Sequence, residues 1–329
     1  MAATANHLVN ILDSITKGPR GMGDIESLHA RQMTKVRGVF EDPNIVGVGV
    51  GNKVSGAKET DELCICFYVE NKLSSAKITG RHFVPPIISS SDGRSIYTDV
   101  KKLGVVKPEV TPLVKRKPIE SGFSVGHVKI TAGTLGAIVK KDGKLYLLSN
   151  SHVLANSGKG KAGDKIVYPG PDDDGKAATD WIATLSEAVP FTKGGDFVNK
   201  VDAALAQVRD ERIGDLLFKI AAAKLPLATI APKRGMIVTK RGRTTGATKG
   251  KIIDIDFRIQ INYPGVGKLG FTNQVLCERY TDGGDSGSLV IDTASGKIVG
   301  LHFAGAEEGS VFNPIAAVRD ALSFSFTSA

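Results

Sequence analysis

Apolar and polar positions in the first hundred residues predict one helix followed by a few strands. Residues 24–40 place apolar side chains at loosely helical spacing behind an aspartate suited to cap the helix. The segments 45–53 and 62–72 are typical of strands, and the second alternates apolar with other residues. Residues 94–106 add a further strand. The pattern therefore predicts a small α+β unit over residues 1–106.

A polar, proline-rich stretch follows this unit. Residues 107–122 hold three prolines and a basic run, which is typical of a linker. From residue 123 to residue 329, short apolar runs alternate with glycine-rich turns, the rhythm of an all-β barrel or sandwich. Within this part, residues 316–324 predict a closing helix and residues 216–223 a short helix on a connection.

Composition and charge exclude some classes of protein. The 329 residues are 41% apolar and 23% charged, an ordinary globular balance. Lys and Arg exceed Asp and Glu by 43 to 34, but the excess is spread along the chain. Residues 1–119 carry 17 basic and 12 acidic residues, and residues 120–329 carry 26 and 22. We therefore do not expect the basic stripe of a nucleic-acid-binding protein.

The sequence indicates neither a membrane protein nor a secreted one. No apolar run approaches the roughly 20 residues that a membrane helix needs, and residues 1–20 lack the basic head and apolar stretch of a signal peptide. The three cysteines, Cys64, Cys66 and Cys277, are too few and odd in number for a disulfide framework. We therefore expect a protein of the reducing cytoplasm.

Three separated fragments carry the residues of a nucleophilic catalyst. His152 ends the apolar run of LLSNSHVLAN, Asp202 lies in the strand-like VDAALAQV, and Ser286 lies in the glycine-rich turn of TDGGDSGSLV. A serine hydroxyl is a poor nucleophile until a base takes its proton, and histidine does this near neutral pH. The histidine in turn needs a carboxylate that fixes its tautomer and stabilises its imidazolium. We therefore expect these three residues to form a triad.

These three fragments, together with KRGRTTG between the second and the third, occur in the order found in the chymotrypsin-like (trypsin-like) serine proteases. The sequence resembles that family over about residues 123–329. The chain looks most like the bacterial intracellular trypsin-like peptidases with an N-terminal extension. The resemblance implies an all-β double-barrel protease domain behind a small α+β domain. It implies a serine endopeptidase that acts on proteins or peptides through an acyl-enzyme on Ser286, with no cofactor and no metal ion. Residues 1–106 would then recruit a partner or substrate, or gate the cleft.

The resemblance also assigns roles beside the nucleophile. It implies that the backbone N–H groups of Gly284 and Ser286 form the oxyanion hole, at roughly 3 kcal/mol per donor. Asp285, between them, cannot be buried without a partner. Bacterial relatives with Gly-Arg-Thr-Thr-Gly use its arginine, which implies Arg243. The alternative is that this arginine is exposed in a hairpin.

A substrate pocket follows from the same resemblance, aligned on Ser286. Its base falls at Tyr280 and Thr281. Its wall is formed by Phe303, Ala304 and Gly305, whose backbone should pair with an extended peptide.

The residue just before this wall, His302, leaves two interpretations open. Relatives that cut after Glu or Gln carry a histidine here and a threonine at the position of Thr281, which implies a preference for those residues. The other interpretation is a core histidine. Tyr280 could restrict the pocket to small apolar side chains, and Glu307 and Glu308 could instead attract basic ones.

Two alternatives compete with a protease of this kind. The first is a catalytically silent protein-binding module that uses the same cleft. The second rests on GFSVG, which matches a G-x-S-x-G nucleophile elbow at Ser124, with Asp202 and His302 following in α/β-hydrolase order. That elbow must lie between a buried strand and a helix, whereas a polar linker precedes it here and a strand-like run follows. The context disfavours it.

Metal sites and a cysteine nucleophile are weakly indicated. Cys64 and Cys66 form C-x-C without a second ligand pair for zinc. Residues 172–175, Asp-Asp-Asp-Gly, lack the remaining ligand spacing for calcium, so we expect a solvated turn. Cys277 lies in the strand-like QVLCERY and is expected to be a small buried apolar residue.

Overall fold

The N-terminal part of the protein is a helix packed on a small sheet. The computed structural model describes residues 4–16, 36, 38–56, 58–74, 77–78, 80, 82–90, 93–106, 118–220 and 223–327. The first elements are α1 (Ala5–Thr16), β1 (Ile45–Ser55), β2 (Lys58–Val69), β3 (Ile87–Ser89) and β4 (Ser95–Lys102). Leu8, Ile11, Leu12 and Ile15 recur at helical spacing, so α1 buries one apolar face against the strands.

A first barrel follows. Its region contains β5 (Ile119–Ser121), β6 (Ser124–His127), β7 (Gly133–Thr134), β8 (Ala137–Lys141), β9 (Lys144–Ser149), α2 (Ser151–Leu154), β10 (Lys165–Val167), β11 (Trp181–Ala188), β12 (Phe197–Asn199) and β13 (Ala204–Val208). Eight strands pair in the order β22-β8-β9-β13-β11-β10-β6-β7, where β22 is Ser325–Phe326. Only Leu135 and Gly136 separate β7 from β8, so the chain itself joins the two sides of this sheet and closes the barrel.

The second barrel is a closed ring of six strands. The remaining elements are β14 (Leu216–Ile220), β15 (Ala223–Lys224), β16 (Ile237–Gly242), β17 (Gly246–Tyr263), β18 (Gly267–Glu278), β19 (Leu289–Asp292), β20 (Ile298–Ala306), β21 (Gly309–Pro314) and α3 (Ile315–Leu322). Strands β16, β17, β18, β21, β20 and β19 pair in that order, and β19 returns to β16. The predicted all-β double-barrel domain behind a small α+β unit is confirmed.

The N-terminal strands continue the sheet of the second barrel. Strand β1 pairs antiparallel with β17, with Gly47 opposite Ile259 and Val48 opposite Arg258. The contact needs glycine, because a Cβ on Gly47 would lie 2.6 Å from Phe257 Cζ and 2.8 Å from the Arg258 carbonyl oxygen. One apolar cluster therefore spans both parts of the chain.

Several local predictions differ from the structure. Residues 216–220 form β14 instead of a helix, because they pair in parallel with β5. Strand β5 itself lies within the predicted linker 107–122, of which residues 107–117 lie outside the described residues. Most of the predicted helix 24–40 also lies outside them, although Val36 is helical. Helix α1 was not expected.

The described part of the chain contains no helix long and apolar enough to cross a lipid bilayer. All three cysteines are buried free thiols.

Candidate active site

His152 and Asp202 meet at the edge of the first barrel. His152 lies in the single turn of α2, directly after β9, and Asp202 lies just before β13. The sequence predicts His152 at the end of an apolar strand and Asp202 inside another, whereas both residues lie just outside the strands. His152 Nδ1 lies 2.5 Å from Asp202 Oδ2, and the His152 backbone N–H donates to Oδ1 at 3.2 Å. The pair thus has the geometry of a histidine oriented by a carboxylate.

The backbone of Asp202 is held from two sides. Asn150 Nδ2 donates to its carbonyl at 2.7 Å, and its own N–H donates to Asn313 Oδ1 at 3.0 Å. The carboxylate is fully buried. Its position is therefore set by the surrounding backbone as well as by His152.

Gly133 lies between the backbone of Ser286 and helix α2, which carries His152. A Cβ on Gly133 would lie 2.4 Å from Val153, the neighbour of His152, and 3.1 Å from the Ser286 carbonyl oxygen. The Ser286 hydroxyl donates to the Phe303 carbonyl at 3.3 Å. His152 Nε2 is buried and has no hydrogen-bond partner among the described residues. Among the described residues, no hydrogen bond joins the Ser286 hydroxyl to His152 Nε2.

The predicted oxyanion donors are the N–H groups of Gly284 and Ser286. Each belongs to a peptide group whose carbonyl, on the preceding residue, is held by a hydrogen bond. The Gly283 carbonyl accepts the Thr244 hydroxyl at 2.5 Å, and the Asp285 carbonyl accepts the Ser288 hydroxyl at 2.5 Å. In a trans peptide the N–H points opposite to the carbonyl. The N–H groups of Gly284 and Ser286 therefore point away from these anchors. Gly284 has φ +95°, a conformation that glycine adopts without strain.

The buried partner of Asp285 is a lysine. Lys240 Nζ lies 3.0 Å from Asp285 Oδ2, and the Thr245 hydroxyl donates to the same oxygen at 2.6 Å. Burial alone would raise the pKa of Asp285, but the Lys240 ammonium, the Thr245 hydroxyl and the Asp282 N–H lower it below its usual range. Asp285 is therefore held as a carboxylate.

The expected pairing of Asp285 with Arg243 is wrong. Side chains alternate along β16, so Lys240 and Gly242 share the face toward Asp285. Arg243 is the first residue after this strand, and its side chain turns elsewhere. Gly242 makes the approach possible, because a Cβ there would lie 2.2 Å from Asp285 Oδ1. Arg243 instead binds Asp173 through Nε at 2.9 Å and Nη2 at 2.6 Å. It is buried rather than exposed in a hairpin.

The Asp173 contact also corrects the prediction for residues 172–175. Asp173 is buried, and it accepts the Ser124 hydroxyl as well as the Arg243 guanidinium, so this part of the turn is not solvated. Ser124 lies in β6, and this strand is followed by a turn and β7 instead of a helix, so the α/β-hydrolase elbow is absent. Among the described residues, no cluster of three His, Cys, Asp or Glu side chains could hold a metal ion.

Two of the residues expected at the substrate pocket, Tyr280 at its base and His302 before its wall, are in ring contact. The Tyr280 and His302 ring centroids are 6.2 Å apart, with their planes at 62°. Thr281 Oγ1 lies 2.6 Å from Ser310 Oγ. Tyr280, Thr281 and His302 are all buried. The wall strand β20 carries Phe303, Ala304 and Gly305, and the Phe303 carbonyl faces Ser286.

Comparison with solved structures finds serine proteases at low sequence identity. Thermobifida fusca Protease A matches at 14% identity and a TM-score of 0.46, over 64% of this chain and 99% of that one. Cellulomonas bogoriensis chymotrypsin matches at 16% identity and a TM-score of 0.44, over 64% and 99%. A glutamic acid specific serine protease, which uses a histidine triad in substrate binding, matches at 16% and 0.44, over 64% and 100%. No protein-family model and no curated protein sequence matches the chain.

Sequence reasoning missed three residues that matter at this site. Lys240 and Asp173 are the buried ion partners described above. Tyr263, the last residue of β17, donates its hydroxyl to Asp202 Oδ2 at 2.7 Å. Lys240 lies three residues before Arg243 in KRGRTTG, and the motif does not show which of the two side chains reaches Asp285. Nothing in the local sequence around Tyr263 points to Asp202.

Proposed function

We propose that this protein is a serine endopeptidase that cleaves proteins or peptides through an acyl-enzyme on Ser286. The supporting observation is the environment of the His152 ring. Its Nδ1 contacts Asp202 at 2.5 Å, whereas Nε2 has no hydrogen-bond partner among the described residues. A ring whose Nδ1 is held by a carboxylate and whose Nε2 makes no hydrogen bond suits a general base.

The proposed reaction has two halves. Ser286 Oγ bonds to the carbonyl carbon, its proton passes to His152 Nε2, and the carbonyl electron pair moves onto oxygen. The N–H groups of Gly284 and Ser286 stabilise this oxyanion. Collapse breaks the C–N bond, and the leaving amine takes the proton from His152. Water then attacks the ester with His152 as base, which releases the acid and restores Ser286.

Substrate binding itself would prepare the nucleophile. A peptide extended along β20 would bring a backbone N–H to the Phe303 carbonyl, the group that now accepts the Ser286 hydroxyl. The serine would then rotate about χ1 to reach His152 Nε2.

One observation favours a second candidate, a catalytically silent protein-binding module. Ser286 is fully buried, and its hydroxyl donates to Phe303 rather than to His152. In such a module the cleft would bind an extended peptide and leave it uncut. The serine would then keep its present hydrogen bond.

A fluorophosphonate probe separates the two candidates. We expect it to label the wild-type protein at Ser286 and to fail with Ser286→Ala. Ser124→Ala is the matched control, because it removes the serine of the competing GFSVG motif and should leave the labelled residue unchanged. A folded wild-type protein that stays unlabelled under several buffer conditions would favour the binding module. Retained peptide binding by Ser286→Ala would then support it.

The remaining parts of the chain receive proposed roles. Residues 1–106 are proposed to recruit a partner or substrate or to gate the cleft. The proposed link to the protease domain is the part of residues 107–122 that precedes β5, since Ile119–Ser121 pair with β14. Three buried free thiols support a reducing cytoplasm as the compartment. A preference for Glu or Gln before the scissile bond is proposed from His302 and Thr281.

A further inference from the structure

The carboxylate of Asp202 has a third donor from outside the triad. Among the described residues its donors are the His152 backbone N–H, His152 Nδ1 and the Tyr263 hydroxyl. Tyr263 shares oxygen Oδ2 with the imidazole, and their two contacts are 2.7 and 2.5 Å long. A carboxylate that accepts three such bonds has little freedom to rotate.

Tyr263 reaches Asp202 from the other barrel. It ends β17, and its backbone carbonyl accepts the Val266 N–H at 3.0 Å in the turn to β18. Its ring lies 6.0 Å from the His152 ring at 70°, and it packs 5.4 Å from Phe191 and 6.0 Å from Phe271. The ring therefore limits sideways movement of the imidazole while the hydroxyl anchors the carboxylate.

The chemistry of this hydroxyl suits a permanent donor. Tyr263 is fully buried, and burial together with the Asp202 charge and hydrogen bond raises the pKa of the phenol well above its usual range. It therefore stays protonated across the pH range in which a histidine works. It can take part of the carboxylate charge without ever accepting the proton that His152 removes.

The N-terminal unit contributes to the surroundings of this tyrosine. Leu103 and Val106 belong to the same buried cluster as Tyr263, Phe271 and Phe303. Strand β1 also pairs with β17 up to Ile259, four residues before Tyr263. The position of the hydroxyl thus depends on the second barrel and on the N-terminal strands together.

We propose that Tyr263 is a positioning residue of the catalytic site, which fixes the Asp202 carboxylate and thereby orients His152. The inference rests on the proposed function for its effect on catalysis, but the contact itself makes predictions in a silent protein too. Loss of the hydroxyl should have two consequences. The carboxylate becomes less constrained, which slows the reaction. Without the tyrosine hydroxyl, the Asp202 carboxylate also interacts more strongly with the His152 imidazolium, so His152 stays protonated to higher pH.

The test compares wild type with Tyr263→Phe, which removes one hydroxyl and keeps the ring. Fluorophosphonate labelling rates report the base function of His152 without a known substrate. We expect labelling about tenfold slower, as for loss of one hydrogen bond to a charged group. The acid limb of its pH profile should move to higher pH. The low-field proton resonance of His152 Nδ1–H should show the same shift in its pH titration.

Tyr68→Phe is the matched control. It also removes a buried tyrosine hydroxyl bound to a buried carboxylate, Asp254, in the same apolar cluster. It should leave the labelling rate and the His152 resonance unchanged. If Tyr263→Phe fails to fold, 3-fluorotyrosine incorporated at Tyr263 keeps the packing and strengthens the donor, so the acid limb should move to lower pH.

The outcomes separate this inference from the proposed function. Suppose that the wild type is labelled and that Tyr263→Phe has the same labelling rate and the same His152 titration. That result overturns the inference and leaves the proposed protease function standing. Wild type that never labels contradicts the protease, and the His152 resonance then decides alone. A titration shifted in Tyr263→Phe supports the positioning role, and an unshifted one overturns it.

Discussion

Lys240 Nζ lies 3.0 Å from Asp285 Oδ2, and neither side chain is exposed to solvent. The carboxylate precedes the nucleophile in the chain, and its own carbonyl anchors the peptide that carries the Ser286 N–H. The lysine thus occupies the position that the resemblance implied for Arg243. A buried ion pair of this kind is costly to break, because the remaining charge is left without a partner.

Lys240→Met should unfold the turn around Ser286. We expect a loss of about 3–5 kcal/mol in the free energy of unfolding, the usual cost of removing one partner of a buried pair. Fluorophosphonate labelling should be lost. Without the ammonium, burial raises the pKa of Asp285. The loss of stability relative to wild type should therefore grow as pH rises, because the buried carboxyl group must then ionise without a partner. Urea unfolding at several pH values measures this.

Arg243→Met is the control for that variant. It breaks the buried pair with Asp173 and should cost similar stability, but it leaves Lys240 and Asp285 paired. At a temperature where both variants are folded, Arg243→Met should still be labelled. The opposite result, with labelling lost in Arg243→Met and kept in Lys240→Met, would contradict the pairing described here.

His302→Leu should change the choice of substrate. If the ring donates to a Glu or Gln side chain, its loss leaves that polar group without a partner, and kcat/KM should fall at least about tenfold more for those peptides than for apolar ones. Thr281→Val is expected to act in the same direction. A cleavage-site profile of the wild type is the companion measurement. Equal losses for all peptides, or a wild-type profile led by Lys, Arg or Leu, would refute the preference.

Gly47→Ala should separate β1 from β17. The new Cβ would lie 2.8 Å from the Arg258 carbonyl oxygen, which is backbone and cannot turn aside. We expect a loss of about 1–3 kcal/mol in stability, as for overpacking in a core, measured by thermal unfolding. Gly80→Ala is the control in the same unit, since nothing lies within 4 Å of its new Cβ. Equal stability of the two variants would mean that β1 is not bound firmly to β17.

Asp254→Asn should remove part of the pH dependence of stability. Burial raises the pKa of Asp254 to about 7, although the Tyr68 hydroxyl and the Arg234 charge lower it. The folded protein then binds a proton that the unfolded chain, with an aspartate pKa of about 3.9, has released. Wild-type stability should therefore fall between about pH 4 and pH 7, by up to about 4 kcal/mol, and level off above.

Comparison of the unfolding free energies of wild type and Asp254→Asn isolates the contribution of Asp254 to the pH dependence of stability. The difference between wild type and Asp254→Asn should be steep between about pH 4 and pH 7 and flat at pH 8 to 9. A difference that is constant over the whole range would show that Asp254 is already ionised in the folded protein.

Much of the fold could be predicted from the chain, and the reason is local. Alternation in 62–72 and in the short runs after residue 123 reflects which side of a strand faces the core, and that is written in consecutive residues. Residues 216–220 were predicted as helix because their pairing with β5, about 100 residues away, has no local signal. The apolar residues of α1 do recur at helical spacing, so this helix also has a local signal in the sequence.

The sequence by itself determined which residue types could do the chemistry. Histidine, aspartate and serine in three separated fragments indicated a nucleophilic mechanism, and the glycine-rich turn indicated where the serine would lie. These inferences depend on residue identity and on short-range geometry. His152 and Asp202 do lie within 2.5 Å of each other in the structure.

Only the tertiary structure decided which charged groups meet. Lys240 and Arg243 are three residues apart in the chain, but the fold turns one side chain toward Asp285 and the other toward Asp173. Tyr263 reaches Asp202 across 61 positions of sequence. Such contacts depend on how two barrels and an N-terminal sheet pack together. A buried charge needs a partner, and the packing decides which group comes within hydrogen-bond distance. The local sequence around the charge does not predict that partner.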